Sequence, residues 1–196
     1  MRLSPLVLIV PLLAFTASGQ QATETHKSAK DECIALFSGF PKSDTPILKQ
    51  SYPDDVKDIT LDYFASGCYG KCPAFHLTIS DGVAQFDGHA FTRAKGKKRA
   101  KLSPEEFHEL IRGWFDGDFN AMRDDYCSVH CPNGMYITVT DIPDSSIKLT
   151  TPNFTKQVYQ CYATVDDKPM TPKPPDQFFE LSRTLRAYAK RKHWLR

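Results

Sequence analysis

Ile59-Thr60-Leu61-Asp62-Tyr63-Phe64, then Gly67-Cys68-Tyr69-Gly70-Lys71-Cys72-Pro73, then Phe75-His76-Leu77-Thr78-Ile79-Ser80 read as strand, turn and strand. Ile59, Leu61 and Tyr63 alternate with Thr60, Asp62 and Phe64, and Phe75, Leu77 and Ile79 with His76, Thr78 and Ser80, and a period of two puts each apolar set on one face of a half-buried sheet. Two cysteines frame the glycine-bearing turn between them. Asp81-Gly82 closes a further hairpin, because glycine tolerates the positive φ of a two-residue turn. Asp87-Gly88 repeats that signal before a strand expected from His89 to Arg93. The expectation is an antiparallel meander.

Downstream, Ser103-Pro104-Glu105-Glu106 predicts a helix start, with serine as N-cap, proline at the first helical position and glutamate three residues after the cap. Phe107, Leu110, Ile111, Trp114 and Phe115 follow at helical spacing, and Gly117 is placed to end the helix. Met135, Ile137 and Val139, then Ile147 and Leu149, predict a second strand pair turning at Pro143-Asp144. Prolines 169, 172, 174 and 175 mark an extended loop, after which Phe178, Leu181, Leu185 and Tyr188 line one face of a last helix. The order βββ(β)-α-ββ-α gives an α+β fold, an antiparallel sheet with two helices packed on one face. It forms a single domain over residues 58–192, followed by a basic tail at 193–196.

Upstream, Arg2, the apolar run Leu6 to Phe15 and the small residues Ala17-Ser18-Gly19 predict a signal peptide over residues 1–19. The run is shorter than the roughly 20 residues that span a bilayer. An exported chain, periplasmic or secreted and without a transmembrane helix once matured, is expected. Residues 20–57 read as a polar leader and an irregular segment tied down by Cys33. The formal charge of +2, from 25 basic and 23 acidic residues, selects neither nucleic acid nor membrane by bulk electrostatics. No nucleic-acid partner is expected.

The string Gly67-Cys68-Tyr69-Gly70-Lys71-Cys72-Pro73, the alternating strand after it, Asp81-Gly82, a basic strand and Ser103-Pro104-Glu105-Glu106 resemble a bacterial exported family known as a domain of unknown function. That family carries Gly-Cys-Phe/Tyr-Gly-x-Cys-Pro, and the resemblance runs from about Ile59 to Tyr188. It implies no assigned reaction and no catalytic residues. Cys127 and Cys131 stand outside its pattern.

The cysteines, Cys33, Cys68, Cys72, Cys127, Cys131 and Cys161, all follow the expected signal peptide, and an even number in an oxidising compartment reads first as disulfides of undetermined pairing. A turn through Tyr69-Gly70-Lys71 brings Cys68 and Cys72 within bridging reach. Alternatively, the two Cys-x-x-x-Cys pairs Cys68/Cys72 and Cys127/Cys131, with His130, form a zinc or cuprous copper site. A third reading is thiol redox chemistry, since Cys-x-x-x-Cys-Pro resembles the motif of thioredoxin-fold copper chaperones. There the motif opens a helix, whereas Ala74 to Ser80 alternates as a strand, without the helix dipole that lowers a thiol pKa.

Arg93, Lys95, Lys97, Arg99 and Lys101 occupy alternate positions, so one strand would present five cations on one face, with Lys98 opposite. Such a ribbon suits an anionic envelope surface or polymer, or protects a sheet edge by charge. The last helix carries Arg183, Arg186, Lys190, Arg191 and Lys192, and Arg196 follows it. These complement the helix dipole, or, with Trp194 and Leu195 as interfacial anchors, serve a membrane surface. His76 and His89 could face each other across neighbouring strands, but a solvated sheet face explains both more simply. No Gly-x-Ser-x-Gly, His-Glu-x-x-His or phosphate-loop motif occurs. The functional expectation is a non-catalytic, disulfide-stabilised binding or interaction module of the cell envelope, without a cofactor. The alternative is a cysteine-based metal-binding or thiol-redox protein.

Overall fold

Alternation in the sequence becomes strand wherever the apolar residues find a common core. The computed structural model describes residues 58–68, 70–115, 119–131, 134, 136–138, 142–161, 164–165, 168–169 and 173–196. The expected signal peptide, the leader, Cys33 and Gly117 lie outside the described residues. The strands are β1 (Thr60–Ala65), β2 (Ala74–Ser80), β3 (Val83–Ala90), β4 (Gly96–Lys101), β5 (Ser128–His130), β6 (Tyr136–Thr138), β7 (Ser145–Thr150), β8 (Thr155–Gln160), β9 (Thr164–Val165) and β10 (Lys168–Pro169). The helices are α1 (Pro104–Phe115) and α2 (Asp176–Arg191), with a 3₁₀ turn at Phe119–Ala121.

A six-stranded sheet runs in the order β4-β3-β2-β1-β7-β8, every neighbouring pair antiparallel. β1 lies at its centre, with Leu61 between Ile79 and Leu149 and Tyr63 between Leu77 and Ile147. Their core-facing side chains are fully or almost fully buried, in one cluster with Phe107, Leu110, Ile111 and Trp114 of α1 and Phe178, Leu181, Leu185 and Tyr188 of α2. Two smaller two-stranded sheets, β5-β6 and β9-β10, complete the α+β architecture. Among the described residues no helix is long and apolar enough to cross a membrane.

The capping box forms as expected: the Ser103 N–H donates to Glu106 Oε2 at 3.1 Å and the Glu106 N–H donates to Ser103 Oγ at 3.2 Å. Gly113 lets α1 approach α2, since a Cβ there would stand 2.8 Å from Leu181 Cδ2.

Three expectations are corrected. Asp87-Gly88 is not a turn, because β3 continues through it to Ala90 and the chain reverses at residues 91–95. Gly88 answers to crowding instead: a Cβ would meet the Ala94 carbonyl oxygen, Thr92 Oγ1 at 2.7 Å and the Phe86 ring at 2.8 Å. The strand pair expected to turn at Pro143-Asp144 is also absent. β6 pairs with β5, and β7 pairs with β1 and β8. Ile147 and Leu149 are spaced to sit beside Tyr63 and Leu61, a non-local pairing that periodicity cannot reveal. β8 carries no apolar alternation, Val158 being its one fully buried residue.

The third correction concerns residues 193–196. Trp194 and Leu195 are only 7% and 4% exposed, within the core rather than in a free basic tail or at an interface with lipid. His193 takes a left-handed φ of 58° and turns the chain back after α2. The Trp194 indole then stacks on Phe86 at 5.2 Å, Phe86 on Phe75 at 5.3 Å, and Phe75 meets Tyr63 edge-on at 5.5 Å. The Trp194 carbonyl accepts the N–H groups of Arg93 and Ala94, each at 3.0 Å. An aromatic series thus crosses β1, β2 and β3 and ends on the returning chain.

Removing a buried indole leaves both a cavity and lost apolar transfer, so Trp194→Ala is expected to lower unfolding stability by about 3 to 5 kcal/mol in urea titrations. A loss below about 0.5 kcal/mol, within the range of ordinary surface substitutions, would contradict a core role.

Candidate functional site

The glycine-bearing turn is a covalent loop: Cys68 and Cys72 form a disulfide with a Cα–Cα distance of 5.4 Å. Ser66 fixes its entry, its N–H donating to the Asp144 carbonyl at 3.0 Å while its hydroxyl accepts the Asp144 N–H at 2.9 Å. A second bridge joins Cys127 to Cys161, with Cα atoms 4.8 Å apart, and ties the segment before β5 to the end of β8. Cys131 is disulfide-bonded as well, and none of the described cysteines is free.

These pairings dismantle the four-sulfur metal reading. Cys127 is bonded to Cys161, not to Cys131, and a sulfur committed to a disulfide is not a thiolate ligand. Among the described residues no three His, Cys, Asp or Glu side chains gather as a metal site. The His130 side chain lies outside what is described. β2, not a helix, follows Cys72, so the thiol-redox reading lacks the helix that lowers a thiol pKa.

In an antiparallel meander the β1–β2 and β3–β4 turns emerge at the same end of the sheet. Here they meet α2 and the returning chain around a cleft of about 700 Å³. Lys71 and Pro73 of the disulfide turn and Phe91 of the β3–β4 turn form part of its wall. α2 contributes Arg183, Arg186, Ala187 and Lys190, one stripe at helical spacing, and the chain beyond it contributes Leu195 and Arg196. Five cations therefore converge, and no carboxylate is among the described lining residues.

Arg186 is the most firmly held. Its Nε donates to the Tyr63 hydroxyl at 2.7 Å, and its guanidinium lies 5.8 Å from the Tyr63 ring centroid and 5.7 Å from that of Phe75. Burial pushes the Tyr63 phenol up from its ordinary pKa, opposed by the charge of Arg186, so the hydroxyl remains a neutral acceptor. Arg183 pairs with Glu180 at 2.5 Å. The remaining cations of the helix end do other work: Arg191 grips Glu109 through two bonds of 3.0 and 2.9 Å, and Lys192 lies 2.7 Å from Glu106, joining α2 to α1. The basic cluster of the sequence thus divides into a cleft-lining set and a helix-pairing set.

The basic strand resolves differently from its expectation. β4 begins at Gly96, so Lys97, Arg99 and Lys101 alternate within it, whereas Arg93 and Lys95 belong to the preceding turn. Arg93 uses its N–H on Trp194, and Lys95 Nζ donates to the His89 carbonyl at 3.1 Å. Lys97 stands opposite Asp87, which offsets part of the charge of the row. Neither this strand nor the disulfide turn drew attention to Phe91, a lining residue with a left-handed φ of 53°, because sequence carries no signal of its backbone angle.

On the open face of the sheet, Asp62 accepts the Thr78 hydroxyl at 2.8 Å and lies 3.3 Å from His76 Nε2. The register places Asp87, not His89, opposite His76, so the two histidines do not face each other.

Residues 59–180 match the model of a family described as a domain of unknown function, DUF6438. The match takes in the disulfide turn and Phe91 but ends before Arg183, Arg186, Lys190 and Arg196. No curated protein matches the chain.

The Asp62–His76 pair sets a pH dependence. Hydrogen bonding to His76 is the chief cause holding Asp62 below its ordinary 3.8, and hydrogen bonding to Asp62 is the chief cause raising His76 above 6.5. Stability from the lowered Asp62 is fully present above 3.8 and lost as pH falls through its folded value. Stability from the raised His76 is fully present below 6.5 and lost as pH rises through its folded value. NMR titration of the His76 ring is expected to give a midpoint above 6.5 that drops in Asp62→Asn; an unchanged midpoint in that variant would contradict the pairing.

Proposed function

The chain belongs to the DUF6438 family, a domain of unknown function, and we propose that it is a non-catalytic, disulfide-stabilised binding module of the cell envelope that takes an anionic ligand in the cationic cleft. The observation carrying this reading is the convergence of Lys71, Arg183, Arg186, Lys190 and Arg196 from three separate segments on one concave site. Glu180 pairs with Arg183, but five cations outnumber that one carboxylate, and like charges gathered together repel one another, an arrangement that an anion relieves. The described lining offers no carboxylate, imidazole, hydroxyl or thiol for general-base or nucleophilic work, which favours binding over reaction.

Export is supported by the bridges Cys68–Cys72 and Cys127–Cys161, which persist in oxidising compartments, and by the expected signal peptide. The Cys68–Cys72 loop also limits the freedom of Lys71, so less order must be imposed when a ligand arrives.

Inorganic pyrophosphate is a suitable probe. It is expected to bind in calorimetric titrations, more weakly as salt rises, with an affinity at least about tenfold lower in the double variant Arg183→Gln/Lys190→Gln. The double variant Lys97→Gln/Arg99→Gln on β4 is expected to bind as the parent does. Absence of binding, or an equal loss from the β4 variant, would overturn the assignment of the cleft.

A further inference from the structure

Phe91 is the residue that folding alone does not explain. It holds a φ of 53°, a left-handed conformation that bulky side chains rarely adopt, and the residue is 49% exposed. The turn around it is fixed: buried Thr92 donates its hydroxyl to the Ala94 carbonyl at 2.7 Å, and the next two N–H groups are tied to Trp194. A rigid turn therefore presents an aromatic ring at the wall of the cationic cleft. Asparagine would sit there with less strain and no exposed apolar surface.

The rest of the lining narrows what the ring can meet. The described lining residues divide into cations, which only donate hydrogen bonds, and the apolar Pro73, Phe91, Ala187 and Leu195. No lining side chain among them accepts a hydrogen bond. A sugar or a nucleobase brings its own hydroxyl or N–H donors, which would be left unmatched against such a wall. A hydrocarbon brings none, and an anionic head brings acceptors alone. The stems of the lysines and arginines extend the apolar surface while their heads stay charged. A volume of about 700 Å³ is of the size that holds one small molecule.

We infer that the cleft binds a single-chain anionic amphiphile as a monomer, its hydrocarbon chain against Phe91, Pro73 and Ala187 and its head among Arg183, Arg186 and Lys190. This rests on the anion-binding reading and specifies the ligand class. Phe91 is then a specificity residue: it selects for the chain rather than the charge.

The test is calorimetric titration of the full chain with inorganic phosphate and with ethyl, butyl, hexyl and decyl phosphate, each below its micelle-forming concentration. Affinity is expected to rise by roughly tenfold for every two methylenes over the shorter chains, from the free energy of burying each methylene, and then to level off as the cleft fills. Phe91→Asn is expected to lose most of the chain-length gain and to melt at the same temperature or higher, whereas Lys97→Gln/Arg99→Gln on β4 is expected to keep the parent's affinity for every member of the series. Equal affinity for ethyl and decyl phosphate would overturn the inference, as would a lowered melting temperature in Phe91→Asn, which would make the ring structural. Binding seen only with micelles or with phosphatidylglycerol vesicles would also overturn it, in favour of a surface contact. Absence of any chain-length effect in the parent protein, with phosphate and pyrophosphate still bound, removes this inference alone. Failure of every anion, amphiphilic or not, removes the anion-binding reading with it.

Discussion

The Trp194 contact is the constraint on which both the fold and the cleft depend. Its indole closes the aromatic series from Tyr63 through Phe75 and Phe86, so the chain beyond α2 is packed on β3 and linked through Phe86 and Phe75 to β1. Its carbonyl takes the N–H groups of Arg93 and Ala94, holding the β3–β4 turn in place. Loss of this contact would release the two N–H groups that hold the β3–β4 turn and leave a cavity where the indole packs. The same contact puts Phe91 on one side of the cleft and Leu195 and Arg196 beside it.

Arg186 connects this core to the charged surface. Its guanidinium bonds the Tyr63 hydroxyl, lies over two rings of the aromatic series, and still lines the cleft. A cation held in this way loses little further freedom on binding, which makes it a better ligand for an anion than a lysine on an open surface. Arg191 and Lys192, a few residues on, are engaged by Glu109 and Glu106 and brace α2 against α1. Charges that look alike in sequence therefore have separate tasks, divided by which face of the helix each occupies.

The sheet core and the helix start were legible because short-range rules decide them. Alternation at Leu61, Tyr63, Phe75, Leu77 and Ile79 places each residue on the core face, and Ser103 with Glu106 defines the start of α1. What sequence concealed depends on distant partners. Ile147 and Leu149 form a good strand by pattern, but that β7 lies beside β1 follows from the shared core. Gly88 resembles a turn residue until Thr92 and Ala94 crowd it. The Cys127–Cys161 bridge spans 34 residues, and spacing alone gave it no advantage over Cys127 with Cys131. Of the cleft, the stripe Arg183, Arg186 and Lys190 could be read from helical spacing. Lys71 and Phe91 could not, because they reach the site only through turns whose geometry tertiary contacts impose.

Amide and side-chain chemical-shift mapping of the protein titrated with inorganic pyrophosphate tests the central claim most directly. The account predicts shifts concentrated at Lys71, Phe91, Arg183, Arg186, Lys190 and Arg196, saturating together, while Lys97, Arg99 and Lys101 of β4 stay unmoved. Shifts centred on β4, or spread evenly over every cation without saturation, would contradict it.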